Sequence, residues 1–150
     1  MISRRIAEEV EILKRECASG PDIVRVGVAE IQGKSYVGVR IARVRLNHHK
    51  FKQSFGTFLF LLPPEYPKLP SLGVYLDRPY PDVAQRDRHL TLRAHYGTPS
   101  MEGQGWYWYC YGLGGFDKAS WRRCWRPGSR ADNGHNLATL FAAARQAVNS

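Results

Sequence analysis

Apolar residues fall at helical spacing through the opening segment, 3–18. Ile6, Val10, Leu13 and Cys17 stack on one face. Glu8, Glu9, Glu11, Lys14 and Arg15 are assigned to the solvent side, Ser3 suits the N-cap, and Gly20-Pro21 stops the helix. Cys17 on that stripe reads as a packed core thiol. Alternation with period two then takes over. Val24, Val26 and Val28 share a face of a strand over 23–31. Val37, Val39 and Ile41 share a face of a second strand over 35–46, whose polar positions include Arg40, Arg43 and Arg45. Gln32-Gly33-Lys34 between them predicts a hairpin. Asn47-His48-His49-Lys50 reads as a solvated connection, since no neighbouring cysteine or carboxylate joins the two histidines as metal ligands.

From Phe51 the alternation gives way to a dense aromatic and aliphatic run. This predicts a strand buried on both faces. Pro63 ends its pairing, and Pro64, Pro67 and Pro70 exclude a helix, so a stiff extended arm follows, with Tyr66 placed to tuck its ring against the sheet. A short fourth strand is expected over 72–76. Segments 89–96 and 106–112 read as two further strands around a Gly-rich polar turn. In the second, Trp106, Trp108 and Cys110 share one face and Tyr107, Tyr109 and Tyr111 the other. A last helix carries Leu137, Leu140, Phe141, Ala144 and Val148 on its apolar face, with Asp132 or Asn133 as cap.

Length and charge narrow the classes. A chain of 150 residues suits one domain, 1–150, with a real core. No apolar run reaches membrane-spanning length, and the charged amino terminus is no secretory signal. Three cysteines argue against a disulfide framework, so a reducing, cytoplasmic setting is expected. The net charge of +9 is carried mainly by arginines spread along the chain; it keeps nucleic acid open as a partner without making it the leading one.

The stretch Pro63-Pro64-Glu65-Tyr66-Pro67, with Phe51 before it and Pro70 after, resembles the Pro-x-x-Tyr-Pro segment that closes the third strand of ubiquitin-conjugating enzymes. Trp125-Arg126-Pro127 resembles the Trp-x-Pro that follows their active site, and the Trp121–Gly128 run, with one short helix after it, is similar to the prokaryotic group called family E. The resemblance covers most of the chain and is weak over 77–120. It implies an α+β class and a ubiquitin-conjugating-enzyme-like fold: an N-terminal helix, a four-stranded antiparallel meander plus an additional hairpin, and a C-terminal helix.

It also implies acyl relay in a bacterial conjugation pathway, often linked to antiviral defence. A cysteine takes the terminal glycine of a ubiquitin-like modifier from an activating enzyme as a thioester and passes it to an amine of a protein target. No cofactor, metal or membrane is called for. A cysteine suits both steps, as a strong nucleophile and a good leaving group. Gap-free counting sets Tyr80-Pro81-Asp82 at the family's His-Pro-Asn and Thr91 at its cysteine; an insertion instead makes His95 the histidine and Cys110 the nucleophile. Cys124, which abuts the Trp-x-Pro motif, and Thr91 are the alternative nucleophiles, and His135 is the alternative histidine. Asp117 is the candidate for orienting the incoming amine. Arg122, Arg123 and Arg126 would favour the thiolate if folded near Cys110. Backbone amides around Gly112 or Gly114 would have to replace the missing oxyanion-binding asparagine. Two other readings stand beside this one: a non-catalytic module of the same fold that binds a ubiquitin-like protein, and a basic nucleic-acid-binding domain.

Overall fold

A computed structural model describes residues 2–16, 23–91, 93–94, 97–111 and 123–150. The amphipathic opening segment forms helix α1 (Arg4–Glu16), and Ser3 Oγ accepts from Ile6 N at 3.2 Å. Strands β1 (Val24–Ile31) and β2 (Lys34–Arg45) follow as a hairpin. Its turn is the two residues Gln32 (φ 54°) and Gly33 (φ 78°), a double left-handed turn that matches the twist of the strands. Strand β3 (Phe55–Leu62) pairs with β2, and β4 (Val74–Leu76) pairs with β3. A hairpin of β5 (Leu90–Thr91) and β6 (Tyr107–Tyr109) then adds to β4 through β6. Among the described residues the antiparallel sheet has six strands in the order β1-β2-β3-β4-β6-β5.

The central position of β3 follows from its composition. Phe58, Phe60 and Leu62 face one core and Leu59 and Leu61 face another, so this strand is buried on both sides as its unbroken apolar run predicts. The larger core lies under α1 and the last helix, α4 (Leu137–Val148), which contribute Ile6, Val10, Leu13, Leu137, Leu140 and Phe141. The smaller one, on the opposite face, gathers Tyr36, Leu59, Leu61, Tyr75 and Trp108. Trp108 is 1% exposed and donates to Leu72 O at 2.9 Å. A Cβ on Gly73 (φ 86°) would lie 2.2 Å from its ring nitrogen, so only glycine fits under that indole. That turn also delays β4 to Val74, two residues later than expected.

Other departures have local causes. Phe51 does not open the third strand: the side chain of Asn47 accepts from His49 N (3.1 Å) and Lys50 N (3.4 Å), which caps a short helix α2 (His48–Phe51) in place of a loop. A further helix, α3 (Pro81–Arg86), starts with proline in its first turn and was not anticipated. Neither Asp132 nor Asn133 caps α4. Asn136 does, through a capping box with Thr139 (Thr139 N to Asn136 Oδ1 3.2 Å, Asn136 N to Thr139 Oγ1 3.1 Å). Glu9, assigned to solvent, is 0% exposed. Among the described residues no helix is long and apolar enough to cross a membrane.

Candidate active site

The proline arm and the Trp-x-Pro segment, far apart in sequence, meet at Tyr66. Its ring is buried and tilted at 44° to that of Trp125, centroids 6.2 Å apart, and Trp125 Nε1 donates to Pro67 O at 2.6 Å. The hydroxyl of Tyr66 donates to Glu9 Oε1. Burial and then the Glu9 charge hold that phenol far above its usual range, so it stays a neutral donor. Glu9 accepts twice more, from Leu137 N at 2.7 Å and from Arg5 Nε at 2.6 Å. Arg5 Nη1 in turn donates to Gly128 O at 2.9 Å. One buried carboxylate therefore joins α1, the proline arm and the start of α4, and its arginine reaches the residue just after the Trp-x-Pro.

His135 belongs to this structural clasp. Its Nδ1 accepts from Arg126 N at 3.0 Å, its own N donates to Arg126 O at 2.9 Å, and its ring lies 5.6 Å from Trp125. A backbone N–H can only donate, so the ring proton resides on Nε2. It lies just before α4, not within it. Cys124 is half-buried immediately ahead of Trp125.

Cys110 directly follows β6, half-buried against the smaller core beside Trp106 and Trp108. The face-sharing of indoles and thiol is as the alternation requires. Its N donates to His89 O at 2.8 Å. Burial pushes the thiol up to about 11. Among the described residues burial is the cause of that shift; Arg126 Nη1 donates to Trp125 O at 3.1 Å, and Arg122 lies outside the described residues. His95, Asp117, Gly112, Gly114 and Cys17 also lie outside them. Thr91 Oγ1 donates to Arg93 O at 2.7 Å, so its hydroxyl proton is committed to a backbone carbonyl.

A polar cluster that the sequence does not announce closes the other end of α4. Lys50 Nζ lies 2.6 Å from Asp87 Oδ2, 2.9 Å from Val148 O and 3.1 Å from Ser150 O. Tyr109 Oη is 2.5 Å from the same carboxylate oxygen and 3.1 Å from Ala147 O, and His89 Nδ1 is 2.8 Å from Asp87 Oδ1. Burial by itself would raise the Asp87 carboxyl. The hydrogen bonds of Lys50, Tyr109 and His89 N outweigh it and hold the group well below the usual carboxylate range. These groups edge a pocket of about 590 Å³ with Val83 and Ala147. All three donors of the ammonium are spent on carbonyls and carboxylate. The cluster thus ties α2, the end of α3, β6 and the end of α4 together and leaves little capacity for chemistry. No spacing rule brings Lys50, Asp87 and Tyr109 together; only their partial burial would have hinted at it.

Among the described residues no three His, Cys, Asp or Glu side chains gather as a metal set. Comparison with protein-family models, with curated proteins and with solved structures finds no match. The functional argument therefore rests on the packing of the proline arm and on the chemistry of the thiols.

Proposed function

We propose that the chain is a ubiquitin-conjugating-like acyl carrier of the cytoplasm, with a ubiquitin-conjugating-enzyme-like fold. In this reading Cys110 accepts the terminal glycine of a ubiquitin-like modifier from an activating enzyme. The thiolate attacks the incoming thioester carbonyl, a new carbon–sulfur bond forms, and the activating enzyme's thiol leaves. An amine of the target then expels Cys110 in the same way. The observation that carries the reading is the contact of Tyr66-Pro67 with Trp125, because it unites the two segments on which the resemblance rests.

A pKa of about 11 leaves only about one thiol in a thousand ionised at pH 8. Loading on Cys110 is therefore expected to accelerate about tenfold per pH unit from pH 7 to pH 10, as the thiolate fraction does. The same burial favours a second reading, a non-catalytic module of this fold that binds the ubiquitin-like protein.

Incubation with an activating enzyme and its ubiquitin-like modifier, with ATP, followed by a non-reducing gel, separates the two. Acyl transfer gives a reductant-sensitive adduct that is lost in Cys110→Ala and retained in Cys124→Ala. The opposite pattern moves the nucleophile to Cys124, and an adduct that resists reductant but not base moves it to Thr91. Modifier binding without any adduct favours the module.

A further inference from the structure

Where β2 approaches the ends of α1 and α4 its ladder slips. Register changes between Ile41 and Val44, and Arg43 adopts φ 56°, a left-handed conformation uncommon for a long side chain. The bulge opens a pocket of about 560 Å³ with no part in the clasp around Tyr66. That volume is in the range of small-molecule sites. Its floor is apolar, with Ile41, Val44 and Phe141 buried.

Its rim is cationic. Arg43, Arg45 and Arg145 are exposed there, and among the described residues that line the pocket the one carboxylate is that of Glu16. Arg45 lies over the Phe55 ring at 5.8 Å and Arg145 over the Phe141 ring at 5.0 Å. Such stacking orients a guanidinium while leaving its N–H donors available. Among the described residues none of the three arginines has an ion-pair partner. Asn149 Nδ2 donates to both Arg45 O and Arg145 O at 3.0 Å, which fixes the strand wall against the helix wall and sets the spacing of two of the cations. Phe55, half of it exposed, extends the apolar surface outward.

We infer that this pocket binds a phosphate monoester carried on an apolar body, its phosphate held by Arg45 and Arg145 and its body laid on Ile41, Val44 and Phe141. Among the described lining residues three arginines against one glutamate leave a surplus of two positive charges, which matches the phosphate dianion better than a carboxylate monoanion. The inference is independent of the acyl-carrier reading.

Titration calorimetry with decyl phosphate, decanoate, inorganic phosphate and decyl glucoside, each below its micelle concentration, tests it on the intact chain. The expected order is decyl phosphate tightest, decanoate weaker, and the other two weakest. The double variant Arg45→Gln/Arg145→Gln should weaken decyl phosphate about tenfold, while Arg4→Gln, at the opposite end of α1 from Glu16, leaves it unchanged; thermal melting checks that each variant is folded. Equal binding of decyl glucoside or of inorganic phosphate, or indifference to the double substitution, would overturn the proposal. So would tighter binding of an oligothymidylate through the same arginines, which would point to single-stranded nucleic acid instead.

Discussion

At its amino end α4 meets a carboxylate, that of Glu9, 2.7 Å from Leu137 N; near its carboxy end it meets an ammonium, that of Lys50, 2.9 Å from Val148 O. Both charges have the sign that complements the helix dipole, and both sit on other elements, so the helix is anchored by α1 at one end and by α2 at the other. The two anchors differ in depth. Glu9 has no exposure and shares its oxygens among Tyr66, Leu137 and Arg5. Lys50 and Asp87 each keep about 15% of their side chains accessible, and water can soften their loss. The deeper anchor is also the one that holds the proline arm, through Tyr66.

That difference predicts unequal costs. Glu9→Ala should be the most damaging change, about 3–5 kcal/mol by urea unfolding, because it leaves the Arg5 charge and two donors without their acceptor. Glu9→Gln, which keeps an accepting oxygen, should cost less. Lys50→Met, at the shallower end, should cost about 1–3 kcal/mol, the range for stranding partly buried acceptors. Equal losses at the two ends would break the comparison. Asn136→Ala, which removes the cap without touching either charge, should cost about 1 kcal/mol.

Acid sharpens the contrast further. Burial opposes ionisation of Asp87, but its hydrogen bonds prevail and its folded pKa is depressed. Its stabilisation is therefore complete above the unfolded value near 3.9 and is lost as pH falls from there through the folded value. Thermal melting from pH 6 to pH 2 should show a shallower acid decline in Asp87→Asn than in the parent. Identical slopes would contradict the account of that anchor.

Much of this arrangement is visible in the pattern of residues. The stripe of α1, the hairpin, the doubly buried β3 and the apolar face of α4 all follow from local spacing. So does the pairing of Trp106, Trp108 and Cys110 on one side of β6. The anchors do not, because each depends on tertiary partners. Glu9 looks like any wet-face glutamate until Tyr66 and Leu137 arrive, and Lys50 looks like loop until Asn47 caps α2 and Asp87 closes on it. The candidate site was legible in part. Tyr66 and Trp125 do meet, whereas the burial that pushes the Cys110 thiol up depends on the packing of the smaller core and cannot be read from spacing.

The central claim is that a thiol on this scaffold carries a glycyl group. Its most direct test is mass spectrometry of the chain after loading at pH 9, digested under mildly acidic, non-reducing conditions. The account predicts a peptide with Cys110 joined to the modifier's terminal glycine, cleaved by hydroxylamine and absent without ATP. Unmodified Cys110 alongside a modifier that is activated and bound would contradict it.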